Sequence, residues 1–184
     1  MRKLPDITIL DEKDPRLHKV STEVEFPLDQ DLKKKIYDAL DYLEMSQIEE
    51  YNTKYDLRPG MGLSFCQIGI NKRIFVVSED FGDGTFGRYI VINPKIISHS
   101  EELIFVGEGE GCLSVNRETT GIVPRYARAT FRAYDENGNE YDIRVREEIA
   151  IAFQHELDHL NGILFTDKID PKNPFENKDK MREI

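Results

Sequence analysis

No stretch of this chain is long and apolar enough to cross a bilayer. Its longest apolar runs, such as Ile74-Phe75-Val76-Val77, fall far short of the ~20 residues a spanning helix needs. Cysteine is scarce. Cys66 and Cys112 are the only two, so at most one disulfide can form, and a reducing compartment argues against even that. The opening Met1-Arg2-Lys3-Leu4-Pro5-Asp6 has no apolar core, so a secretory signal is not expected and the cytoplasm is the expected location. A basic stripe is also missing. With 25 basic against 35 acidic residues the net charge is -10, and the longest basic run, Lys33-Lys34-Lys35, reads as the solvated face of a helix. Direct nucleic-acid binding is therefore not expected. Repeats and low-complexity tracts are absent too, which leaves one globular domain over residues 1–184, 39% hydrophobic and large enough for a good core.

Periodicity divides that domain into elements. Leu32, Ile36, Ala39, Leu40 and Leu43 recur at helical spacing and predict one long helix from Leu28 to about Asn52. A polar stretch, Glu49 to Pro59, leads into Gly60-Met61-Gly62, whose backbone can approach other groups closely. Arg73–Ser78 and Tyr89–Ile92 read as strands; Ala129–Tyr134 and Glu140–Val145 alternate around Asn137-Gly138, a hairpin signal. A second helix is predicted from about Glu147 to Asn161, stopped by Gly162. Its stripe of Ile149, Phe153, Leu157 and Leu160 is expected to pack on sheet. The tail from Asp170 to Ile184, rich in Pro, Asn and charge, predicts a short turn or a mobile end. Strands in the middle and helices at both ends give an α+β class built on antiparallel sheet.

The chemistry concentrates in Gln154-His155-Glu156-Leu157-Asp158-His159. On a helix, residues i and i+4 share a face, so His155 and His159 can reach one metal ion. Glu156 can then meet an activated water and carry its proton. Isolated histidines are usually surface or satisfied core residues, but this spacing has a stated mechanism.

A two-histidine site needs a third ligand. The extended metalloprotease pattern would place a histidine at position 165, where the chain has Phe165. Glu176 and Asp179 are downstream carboxylate options in the weakly patterned tail, and they would imply a peptidase. Cys112, reached through glycines at 107, 109 and 111, would complete a His/His/Cys set with an open fourth position; a closed fourth position would mean a non-catalytic metal-binding module. Cys66, ahead of Gln67 in what reads as a strand-entry loop, competes with it.

Three blocks together resemble the peptide deformylase family, which removes the formyl group from the initiator methionine of nascent bacterial and organellar proteins. Gln154 to Gly162 looks like its metal helix, Glu110-Gly111-Cys112-Leu113-Ser114 matches its cysteine motif, and Gly60-Met61-Gly62-Leu63-Ser64-Phe65-Cys66-Gln67 is similar to its glycine motif. That motif normally reads Gly-x-Gly-Leu-Ala-Ala-x-Gln, so Ser64 and Phe65 depart from it, and Phe65 adds bulk beside the site. Asp14 to Ser21 also resembles the family's N-terminal stretch, and Met45 to about Pro59 resembles the insertion of its longer, Gram-positive-like branch.

The resemblance implies antiparallel β-sheets packed around a central metal-binding helix, with a long N-terminal helix. It implies Cys112, His155 and His159 as ligands of one divalent metal, with Fe(II) expected in vivo and Ni(II), Co(II) or Zn(II) as substitutes. Glu156 would carry the proton, and the Gln67 side-chain amide and Leu113 backbone N–H would stabilise the oxyanion. Glu110 and Arg125 would pair beneath the cysteine loop. Met61, Gly62, Ile151 and Ala152 are the candidates for the wall that receives the methionine side chain. The implied substrate is an N-formyl-methionyl nascent peptide; the protein is expected to be a monomer, and the family admits transient ribosome contact.

Overall fold

A computed structural model describes residues 1–184. Helix α1 spans Gln30–Gln47, and the Asp29 carboxylate caps it by accepting the Leu32 N–H at 2.7 Å. The predicted single helix to Asn52 is broken: α2 is separate, spanning Glu49–Tyr55, and Ile48 between them is extended. Side-chain bonds explain the break. Ser46 Oγ accepts the Gly60 N–H at 3.1 Å, and Asn52 Nδ2 donates to the Ser46 carbonyl at 3.2 Å. These partners offer the backbone an alternative to a continuing helix.

Strands β1 (Gly62–Ser64), β2 (Ile74–Asp80) and β3 (Phe86–His99) follow, then β4 (Leu103–Phe105), β5 (Arg125–Tyr126), β6 (Arg128–Tyr134) and β7 (Glu140–Arg146). The strand expected over Tyr89–Ile92 is thus the middle of a much longer one. Helix α3 covers Glu147–Leu160, and β8 (Arg182–Glu183) closes the chain. A five-stranded antiparallel sheet runs β1-β2-β3-β6-β7, and a smaller one runs β5-β4-β8. In the smaller sheet β8 pairs parallel with β4. The antiparallel expectation therefore fails at that edge. The tail, which lacks any strand-like alternation, enters the sheet through backbone bonds such as Ile184 N–H to the Phe105 carbonyl at 3.0 Å.

The run Ile74-Phe75-Val76-Val77 is buried on both faces, as expected of a strand with helices on either side. Ile74 and Val76 pack with Ile36, Leu40 and Leu43 of α1. Phe75 and Val77 pack with Phe153 and Leu160 of α3. Phe153 anchors that second layer, meeting Phe75, Phe131 and Tyr89 edge-on at centroid distances of 5.3, 5.2 and 5.5 Å. Such pairs add ~0.5–1.5 kcal/mol each beyond the area they bury.

At the end of α3 the chain stops as its sequence predicts. Gly162 is left-handed (φ 74°), its N–H donates to the His159 carbonyl, and the Ile163 N–H reaches back to the Asp158 carbonyl. This is a Schellman closure, and it sets where α3 ends. No helix is long and apolar enough to cross a membrane.

Candidate metal centre and active site

The apolar face of α3 is spent on the sheet, which turns His155, Glu156 and His159 inward on another flank, all buried. The loop after β4 carries Cys112 to them. One ligand atom each from Cys112, His155 and His159 lies within 4.8 Å of the others, and the chain makes no other such group of three. Cys112 Sγ is 3.3 Å from His159 Nε2.

The histidine rings are oriented from behind. His155 Nδ1–H donates to Glu110 Oε1 at 2.8 Å, which leaves Nε2 as the free donor atom. A carboxylate behind a ligating histidine fixes its tautomer and raises its basicity. Glu110 is in turn held by Arg125, whose Nε and Nη2 donate to its two oxygens at 2.9 Å each, while Arg125 Nη1 reaches Asp158 of α3 at 2.5 Å. Burial pushes the Glu110 carboxyl up, but His155 and Arg125 outweigh it and hold it at about 2. Glu110 and Arg125 are thus both buried and paired, as the resemblance implies. Burial also drives His159 well below the ordinary imidazole range, so it stays neutral, which binding a metal would require.

Two imidazoles and a sulfur suit a borderline divalent metal and leave a fourth position free. Cys66 does not compete. Its thiol is pushed up to about 12 by burial first and the Glu156 charge next, and it donates to the His159 carbonyl at 3.5 Å. Glu176 and Asp179 are exposed in the tail and outside the cluster, which removes the carboxylate-ligated arrangement.

Glu156 is 3% exposed and burial raises its pKa, against His155 and a hydrogen bond from Ser64. Ser64 Oγ lies 2.7 Å from Glu156 Oε2 and 2.9 Å from the Glu156 carbonyl. Gly62 faces the same carboxylate: a Cβ there would sit 2.7 Å from Glu156 Oε1. Gln67 is buried in a 3-10 turn, Phe65–Ile68. Its Oε1 accepts the Ser64 N–H at 2.9 Å, which settles the amide's orientation, and its Nε2 is 3.0 Å from Ser114 Oγ and 3.6 Å from Cys112 Sγ. The Leu113 N–H has no acceptor within the protein.

A cavity of about 360 Å³ opens over these groups. Met61, Gly62, Ile151 and Ala152 all line it, together with Gln67, Cys112, Leu113, His155 and Glu156. His159 is in the metal cluster but not on the cavity wall. Phe65 does not line it either. Its ring is fully buried in the core facing α1, so the bulk expected beside the site goes into packing. Sequence reasoning missed Arg58, Val106 and Glu148, which share the lining. Arg58 donates to the carbonyls of Val115, Cys112 and Leu113 at 2.9, 3.2 and 2.7 Å. Glu148 stands one helical turn before Ile151 and Ala152, so the periodicity of α3 carried a signal for it.

Residues 7–175 match the family model described as Polypeptide deformylase. Among curated relatives, peptide deformylase 2 of Bacillus cereus is 43% identical over 176 residues, 96% of each chain. Peptide deformylase of Shouchella clausii is 46% identical over 168 residues, 91% of this chain and 92% of that one. Solved structures agree. An Ehrlichia chaffeensis peptide deformylase in complex with actinonin superposes with a TM-score of 0.75 at 32% identity, covering 91% of both chains. The Thermotoga maritima enzyme gives 0.70 at 33%, over 90% of this chain and 98% of its own.

Proposed function

This chain belongs to the peptide deformylase family, metal-dependent hydrolases that remove the N-formyl group from nascent polypeptides, and we propose that Cys112, His155 and His159 hold its metal while Glu156 carries the proton. The observation that carries the assignment is the Glu110–His155 hydrogen bond, which turns His155 Nε2 toward the sulfur of Cys112 and the ring of His159. Fe(II) is the metal proposed in vivo, with Ni(II), Co(II) or Zn(II) as substitutes, because an S/N/N set suits all four. When bound, the ion supplies a Lewis acid that brings the pKa of water toward ~7.

The chain's own groups do the rest. Ile151, Ala152, Met61 and Gly62 receive the methionine side chain and set the formyl carbon against the ligand cluster. Glu156 takes a proton from water as its oxygen bonds to that carbon. The Gln67 amide and the free Leu113 N–H donate to the carbonyl oxygen as charge builds there, each worth ~3 kcal/mol in the transition state. Glu156 then returns the proton to nitrogen as the C–N bond breaks, leaving formate and a free N-terminus. A wall close around the cluster admits formyl and excludes acetyl by one methyl group.

Residues 1–184 form a single catalytic domain in this reading, with both sheets packed about the metal helix α3. It works as a monomer in the cytoplasm, where formylated chains emerge, with only transient contact to the ribosome. Formate release from an N-formyl-methionyl peptide, beside its N-acetyl counterpart, tests the reading in protein loaded anaerobically with Fe(II) or with Ni(II). Release from the formyl peptide alone is expected. No release from protein holding one metal per chain would overturn it.

A further inference from the structure

The charges around the cavity are unequal in one respect. Glu110 is paired with Arg125 and hydrogen-bonded to His155. Arg58 is committed to three carbonyls of the cysteine loop. Glu156 lies at the base of the cavity, held by Ser64. Glu148 has no such partner: it is exposed, lines the cavity, and takes part in no ion pair or side-chain hydrogen bond. Its neighbour Glu147 differs, being gripped by both terminal nitrogens of Arg182 at 2.9 and 2.6 Å. An acid in the first turn of α3 suits the helix dipole, and Glu147 already satisfies that preference. The dipole does not explain why a second, unpaired acid faces the cavity.

The helix works as a ruler. Glu148 lies seven positions before His155, roughly 10 Å along the axis, with Ile151 and Ala152 between. A peptide held extended advances ~3.3 Å per residue, and its alternate side chains point the same way. With the formyl group at His155 and the methionine side chain against Ile151 and Ala152, the next side chain on that face belongs to the third residue. A lysine or arginine there has the length to reach the Glu148 carboxylate.

We propose that Glu148 is a specificity-determining residue that selects N-formyl-methionyl peptides with a basic third residue over those with an acidic one. This rests on the deformylase reading of the same cavity.

The test is kcat/KM for formate release from formyl-Met-Ala-X-Ser peptides with X lysine, glutamine or glutamate, using the metal-loaded enzyme. Lysine should exceed glutamate by about 3- to 10-fold at low ionic strength, and the spread should shrink as salt screens the pair. Glu148→Gln should bring the ratio close to one and Glu148→Lys should invert it. The overall charge of -10 favours basic peptides anywhere on the surface, so Glu101→Gln, the same charge change outside the cavity, must leave the ratio in place. A ratio unchanged in Glu148→Gln, with formate still released, would overturn this inference alone. A larger spread when the series is moved to the second residue would overturn the placement. Silence from every peptide would sink the deformylase reading along with it.

Discussion

Ser64 and Glu156 meet hydroxyl to carboxylate at 2.7 Å, both buried, with the Glu156 carbonyl 2.9 Å from the same hydroxyl. A serine hydroxyl has one proton and two acceptor sites. With Glu156 ionised, that proton goes to Oε2. With Glu156 protonated, the hydroxyl accepts from the carboxyl and turns its own proton to the carbonyl. The contact thus serves the carboxylate in either protonation state. Ser64→Ala is expected to lower kcat by roughly 3- to 10-fold with KM little changed, since one hydrogen bond to a charged group is worth about 1.5–3 kcal/mol at most. Steady-state kinetics would decide it, and a change confined to KM would count against a role at Glu156.

Gly62 bears on the same carboxylate. A Cβ at this position overlaps Glu156 Oε1 at 2.7 Å, so Gly62→Ala should displace the carboxylate proposed to carry the proton. Removing a positioned base typically costs about 10²–10⁴-fold. We expect at least a tenfold fall in kcat in protein that still folds and binds metal, checked by circular dichroism and metal content.

The Glu110–Arg125 pair predicts a stability cost. Both groups are nearly inaccessible, at 4% and 2% side-chain exposure, so losing one partner strands the other's charge. Arg125→Met should cost about 3–5 kcal/mol in urea unfolding. Glu110→Gln should also weaken metal affinity by about 10- to 100-fold, because His155 loses the carboxylate behind it. Competition against a chelator of known affinity would measure this, and unchanged affinity would show that the ring is oriented by packing alone.

Acid should find the same pair. The folded Glu110 titrates at about 2, below the ~4.3 of an unfolded glutamate. The unfolded chain therefore takes up the proton first. The contribution of Glu110 is fully present above pH ~4.3 and is lost as the pH falls through 2. Urea midpoints between pH 5 and 2 should fall more steeply in the wild type than in Glu110→Gln.

Removing the metal should lower the melting temperature. A ligand at a hundred times its Kd stabilises the folded state by ~2.7 kcal/mol, and in a chain of this size each kcal/mol is worth about 2–4 °C. A fall of roughly 5–10 °C on chelation, reversed by re-addition, is expected in a thermal scan. Cys112→Ser should show little response to either step.

Local signals were the legible ones. The alternation of β6 and β7, the helical stripe of α3 and the Gly162 stop each depend on residues near in sequence, and the pairing of His155 with His159 follows from i, i+4 spacing, whereas Cys112 was singled out only by the resemblance. What escaped depends on distant partners. The break at Ile48 answers to Gly60 and Asn52, and β8 pairs with β4 through backbone groups that carry no side-chain pattern. The direction of Phe65 could not be read locally either. A single residue in a 3-10 turn has no period, so only the assembled layers send its ring to α1 rather than to the cavity.

Strand β2 serves two masters, with Ile74 and Val76 facing α1 while Phe75 and Val77 face the helix that bears the site. Because side chains alternate strictly, one inserted or deleted residue within it would hand each layer the other's occupants. The strand is thus intolerant of length change in a way the neighbouring turn at Phe81–Gly84 is not. Length variation compatible with a working centre should be confined to such turns, leaving this strand as a fixed ruler against which both helices are set.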